Sequence, residues 1–219
     1  MIITKQKELS VILHMIEGKS KIFLVGCGEC ATECKTGGEK EILDMKQQLE
    51  ASGKTITGWV IPETACAAGH IKIAMAKNRE ALSKSDAVIV FACGSGTQSF
   101  KENDRFKLSV LSGNDTLFAA TVDSKGGFQE YCSSCGDCVL DLTDGICPIT
   151  RCAKGLLNGP CGGQKDGKCE ADRAKDCAWI LIFKSKVENN KVDELKKINK
   201  ARDYKKSQKP HSVELGSKS

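Results

Sequence analysis

The stretch KIFLVGCGECATECKTGGEKEILDMKQQLEAS, residues 21–52, joins a β-rich apolar run, a loop of cysteines and glycines, and a helical pattern. This order of strand and helix repeats along the first half of the chain, and such alternation predicts βαβ units with a parallel sheet between helices. We therefore predict an α/β domain over residues 1–123, a small doubly wound parallel sheet of about four strands. The predicted strands are residues 21–26, 56–61, 87–92 and 117–122, and the predicted helices are an amphipathic one through Leu9, Ile12, Leu13 and Ile16 and three over residues 39–52, 70–83 and 97–108.

Five cysteines of this domain follow its predicted strands. Cys27, Cys30 and Cys34 lie in the loop after the first strand, Cys66 follows the second strand, and Cys93 follows the third. The carboxyl ends of parallel strands meet at one edge of a sheet, so these thiols are expected to converge. The spacing in CGECATEC suits three corners of an iron–sulfur cluster better than one zinc ion, and a fourth ligand must come from another strand end. Both Cys93 and Cys66 are within reach; we prefer Cys93, which leaves Cys66 as the spare thiol.

A second cysteine-rich segment covers residues 128–183, and we predict that it forms an irregular iron–sulfur domain. Cys132, Cys135 and Cys138 have the spacing that begins the bacterial ferredoxin motif, and a Cys-Pro pair follows at Cys147, later than that motif requires. These three thiols are expected to share one cluster, with either Cys147 or the distant Cys177 as fourth ligand. The remaining thiols would form a second site, and metal binding would supply folding free energy that so few large apolar residues cannot. The cysteines of the segment are Cys132, Cys135, Cys138, Cys147, Cys152, Cys161, Cys169 and Cys177.

Zinc is the main alternative to iron–sulfur clusters at these sites. Zinc sites made of four thiolates use paired Cys-x2-Cys motifs, and with only three histidines in the chain any zinc site would be all thiolate. The cysteine triplets in both segments favour iron–sulfur clusters. A thioredoxin-like role for CGDC at residues 135–138 is disfavoured, because a third cysteine precedes it and no strand-to-helix frame surrounds it.

Composition and charge exclude several other classes of protein. The net charge is +5, and its basic part lies in residues 184–219, which hold 11 Lys and Arg against 5 Asp and Glu, whereas the rest of the chain holds 22 against 23. Aromatic content of 5% provides few surfaces for base stacking, so we expect no nucleic-acid binding. The first 21 residues lack the apolar run of a secretory leader and no apolar run is long enough to span a membrane, so we expect a cytoplasmic protein whose cysteines bind metal. Residues 184–219 are predicted to be a basic tail, a helix through Val192, Leu195 and Ile198 followed by a partly disordered end.

Three stretches carry a resemblance to a known family. YCSSCGDCVLDLTDGICPITRCAKGLLNGPCGGQKDGKCE (residues 131–170) and DCAWILIF (176–183) resemble the methylenetetrahydrofolate reductase C-terminal-like family. With VGCGECATECKTGGEKE (25–41), the chain is similar to the small iron–sulfur subunit of the two-subunit reductase of acetogens and related anaerobes.

This resemblance implies a non-catalytic electron-transfer subunit. It implies a TIM-barrel partner that holds FMN and reduces 5,10-methylene- to 5-methyltetrahydrofolate, and electrons supplied by ferredoxin or a further donor subunit. It also implies two or three 4Fe–4S clusters, with zinc as an alternative occupant of one site. The competing hypothesis is a subunit of the same reductase in which zinc has only a structural or assembly role.

Overall fold

A computed structural model describes residues 1–214 and divides the chain into two compact units, the first of which is Met1–Ala119. Its centre is a parallel sheet of four strands, which confirms the predicted α/β class. The strands in spatial order are β3 (Thr55–Val60), β2 (Lys21–Val25), β4 (Ala87–Val90) and β5 (Ser109–Ser112).

Helices cover both faces of this sheet, because alternate residues of the central strands point to opposite sides. Ile22, Leu24 and Ile89 belong to one apolar cluster, and Phe23 and Val88 belong to the other. The first cluster includes residues of α1 and α3, and the second includes residues of α4, α5 and α6. The helices of this unit are α1 (Leu9–Met15), α2 (Cys30–Glu33), α3 (Glu39–Ala51), α4 (Ala68–Lys77), α5 (Arg79–Ser83) and α6 (Gly94–Asn103).

The fourth parallel strand is not the one that the sequence predicts. β5 has only four half-buried residues with serine at each end, so its apolar signal is weak. The predicted strand at residues 117–122 lies outside the parallel sheet. Most of it belongs to β6 (Asn114–Ala119), which pairs antiparallel with β1 (Ile2–Gln6) in a separate two-stranded sheet. The chain turns at Gly113, where a side chain would lie 2.5 Å from the ring of Phe91.

The second unit begins at Ala120 and is largely irregular. Its apolar core is small: Cys177, Trp179 and Ile182 are buried, with Ile146 and Leu156 packed against them. The apolar run at residues 178–183 begins a helix that continues to Glu188, so residue 183 lies inside that helix. The elements are β7 (Thr121–Val122), β8 (Phe128–Gln129), α7 (Pro148–Arg151), α8 (Ala178–Glu188) and 3₁₀ turns at Leu140–Thr143, Val192–Lys196 and Tyr204–Ser207.

A buried lysine joins α8 to its neighbours. The Lys186 side chain is 0% exposed, and its Nζ lies 2.8 Å from Asp144 Oδ1 and 2.6 Å from Glu194 Oε2. The hydrogen bond from Lys186 is the main cause that lowers the pKa of Asp144. The helix predicted through Val192, Leu195 and Ile198 is instead the short 3₁₀ turn Val192–Lys196. The turn is held by the ion pair of Glu194 with Lys186 and by the packing of Leu195 on the small core, whereas Ile198 is 76% exposed.

Part of the basic tail contacts its own unit, which the sequence does not predict. Lys206 Nζ lies 2.7 Å from Asp137 Oδ1, and Arg202 Nε lies 4.0 Å from Asp137 Oδ2. Gly136, with a φ of +73°, packs so closely on the Lys206 carbonyl that no Cβ would fit. The last five residues of the predicted disordered end, 215–219, lie outside the described residues. Across residues 1–214, no helix combines the length and apolar character needed to cross a membrane.

Candidate metal centres

The five cysteines of the first unit lie beyond the carboxyl ends of three neighbouring strands. Cys27 follows β2 and is buried, Cys30 is the first residue of α2, and Cys34 directly follows its last residue. Cys66 lies in the loop after β3, and Cys93 is the N-cap residue of α6, after β4. β2 lies between β3 and β4 in the sheet, so the loops that carry these thiols leave the same edge.

Backbone contacts hold these loops against one another. The Gly28 N–H donates to the Pro62 carbonyl at 3.0 Å, which joins the loop after β2 to the loop after β3. Gly96, in the first turn of α6, leaves room for Ala65, whose Cβ would lie 3.0 Å from a Cβ at that glycine. Since Ala65 precedes Cys66 and Gly96 follows Cys93 by three residues, these contacts bring Cys66 and Cys93 to the same corner.

The thiol of Cys66 is electrostatically coupled to three of the others. Partial desolvation raises the pKa of Cys66, and negative charge on Cys93, Cys27 and Cys30 raises it further. A bound cation would counter both effects, because it stabilises the thiolate form of Cys66.

Cys30 and Cys34 make opposite contacts with the same residue of β1. The Ile2 N–H donates to Cys30 Sγ at 3.4 Å, whereas Cys34 Sγ donates to the Ile2 carbonyl at 3.7 Å. A thiolate ligand can accept the first hydrogen bond, as the cysteine sulfur atoms of iron–sulfur sites accept hydrogen bonds from amide N–H groups.

In the second unit, the loop with Cys132 and Cys135 is joined to the start of α7. The Ser134 N–H donates to Cys132 Sγ at 3.4 Å. Cys147 Sγ lies 3.8 Å from Thr150 Oγ1, and the Thr150 hydroxyl donates to Ser133 Oγ at 3.2 Å. Cys147 is thereby connected to the residue that follows Cys132.

An aromatic contact supports the same connection. The Arg151 guanidinium lies 4.5 Å from the centre of the Tyr131 ring, within the range of a cation–π interaction. Arg151 is the last residue of α7, and Tyr131 precedes Cys132, so the helix contacts the loop on both sides of Cys132.

Another group of cysteines surrounds the ion pair of Lys154 and Glu170. The hydrogen bond with Glu170 is the main cause that raises the pKa of Lys154, and the thiols of Cys161 and Cys152 also raise it. Glu170 has its pKa lowered mainly by Lys154 and further by a hydrogen bond with Cys161. Cys169 precedes Glu170 in the chain.

Backbone pairing brings Cys177 to this second group. The Cys169 N–H donates to the Lys175 carbonyl at 2.9 Å, and the Cys177 N–H donates to the Gly167 carbonyl at 2.7 Å. Cys177 also packs in the small apolar core with Cys152.

All thirteen cysteines are free of disulfides. Within residues 1–214, no three His, Cys, Asp or Glu side chains are grouped closely enough to hold a single metal ion. Two of the thiols, those of Cys30 and Cys132, accept amide hydrogen bonds at sulfur, and such donors are the chemistry of an iron–sulfur site. Sequence reasoning missed the second-unit contacts around Asp137, Thr150 and Lys154, because they depend on unpatterned polar residues.

Comparison with known proteins gives one match. Residues 111–205 match the family model described as Methylene-tetrahydrofolate reductase C terminal. The match covers less than half of the chain and includes all eight cysteines of the second unit. It associates the chain with methylenetetrahydrofolate reductase. No curated protein and no solved structure matches the chain.

Proposed function

We propose, from the family match over residues 111–205, that this chain is the iron–sulfur electron-transfer subunit of a methylenetetrahydrofolate reductase. The observation that carries the proposal is the gathering of free thiols at the carboxyl edge of the first sheet and around α7 and α8. The partner is a flavin-containing TIM-barrel subunit that reduces 5,10-methylene- to 5-methyltetrahydrofolate. The chain is cytoplasmic and receives electrons from ferredoxin or a further donor subunit.

Bound 4Fe–4S clusters would supply single-electron transfer, which a flavin can collect for a two-electron reduction. Residues of this chain would bind the clusters and set their reduction potential. Thiolates hold the iron atoms, and N–H groups such as those of Ile2 and Ser134 donate to cysteine sulfur. Such donors stabilise negative charge on the thiolates and so raise the reduction potential.

In the first unit we propose Cys27, Cys30, Cys66 and Cys93 as the ligands, with Cys34 as the spare thiol. The contact between Ala65 and Gly96, which brings Cys66 and Cys93 to one corner, supports this set, as does the effect of Cys93, Cys27 and Cys30 on the pKa of Cys66. The sequence favours a different set, in which Cys34 is a ligand and Cys66 is spare. A matched pair of variants tests it: Cys66→Ser should lose one cluster, whereas Cys34→Ser should retain its iron and its reduced-state paramagnetic resonance signal. Loss of iron from Cys34→Ser would restore the first assignment.

The proposed function is tested by metal analysis of the full chain after anaerobic purification. We expect iron and acid-labile sulfide in equal amounts, a brown colour, and visible absorbance that falls on reduction with dithionite. The reduced chain should then reduce FMN on the reductase subunit under anaerobic conditions. A colourless chain with stoichiometric zinc would instead support the structural or assembly role.

A further inference from the structure

We infer that the eight cysteines of the second unit form two separate four-thiolate sites with a defined division of ligands. This division rests on the proposed function for the identity of the metal, and on the geometry of residues 131–177 for the choice of ligands. The first site contains Cys132, Cys135, Cys138 and Cys147, and the second contains Cys152, Cys161, Cys169 and Cys177.

Cys147 belongs to the first site because the chain around it is fixed to the Cys132 loop. Thr150, one turn after Cys147, contacts the Cys147 thiol and donates a hydrogen bond to Ser133. Arg151 stacks on Tyr131 next to Cys132. Two independent contacts therefore hold the start of α7 beside the loop that carries the ferredoxin-like triplet.

The second site is centred on the ion pair of Lys154 and Glu170. Lys154 is two residues after Cys152. Gly163, two residues after Cys161, packs so closely on the Glu170 carboxylate that no Cβ would fit there. Glu170 follows Cys169 directly. These two charged side chains therefore join the segments that carry three of the four cysteines.

Cys177 completes the second site through backbone pairing. Its N–H donates to the Gly167 carbonyl, and Lys168 and Asp176 form an antiparallel bridge and an ion pair at 2.7 Å. Cys177 thus lies on the chain segment adjacent to Cys169, and the same residue caps the start of α8. This pairing favours Cys177 as a ligand of the second site over its role as the distant fourth ligand of the first triplet.

The two sites have different physical roles. A four-thiolate site, whether it holds a cluster or zinc, ties together every segment that contributes a ligand. The second site joins the glycine-rich loop, residues 155–167, to the start of α8 and to the small apolar core, so binding of its metal is coupled to folding of the second unit. The first site lies on a loop that Lys206 and Arg202 contact through Asp137, so its metal is coupled to the position of the tail.

Two double variants of the full chain test the division by elemental analysis after anaerobic purification. Cys135→Ser/Cys147→Ser should lose no more metal than Cys135→Ser alone, because both thiols serve one site. Cys135→Ser/Cys177→Ser should lose the metal of both sites. The reverse pattern would place Cys177 with the triplet and overturn the inference.

A measurement on the unaltered chain keeps the inference testable if a variant fails to fold. A chelator removes metal slowly while iodoacetamide labels the thiols released, and mass spectrometry follows each cysteine. Cys147 should be labelled at the same rate as Cys135, and Cys177 should be labelled at the same rate as Cys161. Labelling of Cys177 together with Cys135 would refute the division.

The result is separable from the proposed function. Zinc in place of iron in the unaltered chain would refute electron transfer, and the labelling groups would still report which cysteines share a site. Iron in the unaltered chain with the opposite grouping would refute only the division.

Discussion

Replacement of Trp179 by phenylalanine should remove the hydrogen bond that holds the glycine-rich loop against α8. The Trp179 side chain is 5% exposed, and its Nε1–H donates to the Leu156 carbonyl at 2.9 Å. Leu156 lies between Cys152 and Cys161 in the chain, so this hydrogen bond fixes the segment that joins two proposed ligands. Phenylalanine retains an aromatic ring in the core and removes the donor.

The expected cost follows from two terms. Removal of the donor leaves a partly buried carbonyl without that partner, which costs about 1–2 kcal/mol. The smaller ring buries roughly 40 Å² less apolar surface, which at ~25 cal/mol per Å² costs about 1 kcal/mol. The free energy of unfolding of the second unit should therefore fall by about 2–3 kcal/mol, which corresponds to a lower melting temperature by roughly 10–20 °C for a domain of this size.

The assay is thermal unfolding by calorimetry of the metal-loaded full chain, with release of metal to a chromogenic chelator as a second readout. Trp179→Phe should shift the transition of the second unit and speed metal release. Trp59→Phe is the matched control, because Trp59 is half-buried in β3 of the first unit and belongs to a different apolar cluster. Equal effects of the two variants on metal release, or an unchanged second transition in Trp179→Phe, would refute the reasoning.

Three further predictions concern packing, charge and metal content. Gly37→Ala should destabilise the first unit by about 2–3 kcal/mol in urea unfolding, because the new Cβ would lie 2.9 Å from the carbonyl carbon of Phe91 and still closer to its oxygen; an unchanged midpoint would show that the loop can move aside. Lys186→Met should lower the melting temperature of the second unit more than Lys191→Met does, because it leaves the Asp144 carboxylate without its nearest cation. Because the pKa of Asp144 is held below its usual 3.8, the stabilising contribution of this carboxylate is complete above pH 3.8 and is lost as the pH falls through the lowered pKa. The free energy of unfolding, measured between pH 2 and 5, should therefore fall less steeply with acid in Lys186→Met than in the unaltered chain. An identical pH dependence would contradict this. Cys135→Ala should lose about one cluster of iron and weaken the fold around the cysteines, and unchanged iron would contradict the ferredoxin-like site.

The parallel sheet was predictable because its central strands are buried and apolar. β2 and β4 read as continuous apolar runs, and the helical pattern after β2 is well separated from it by glycines. The edge strand β5 was missed because SVLS carries too little apolar signal. Residues 117–122 were misassigned because β-propensity alone does not distinguish a parallel strand from one that pairs with β1.

The candidate site was predictable in its chemistry and less so in its grouping. Strand-end positions for Cys27, Cys66 and Cys93 follow from the βαβ pattern. The strand pattern does not decide between Cys34 and Cys66 as ligands, and Ile2, which contacts both Cys30 and Cys34, belongs to a strand that the sequence did not predict. In the second unit, no periodic pattern encodes that Thr150 would contact Ser133.

The contact between Asp137 and residues 202–206 has a consequence for the order of events during synthesis. All thirteen cysteines precede residue 178, so every thiol is synthesised before Arg202 and Lys206. The edge of the first unit, whose last cysteine is Cys93, can therefore form while the Cys135–Cys138 loop still lacks its cations. Synthesis of residue 206 sets the earliest moment at which that loop acquires its final environment, and a chain stopped before residue 202 would contain all thirteen thiols with this loop uncovered.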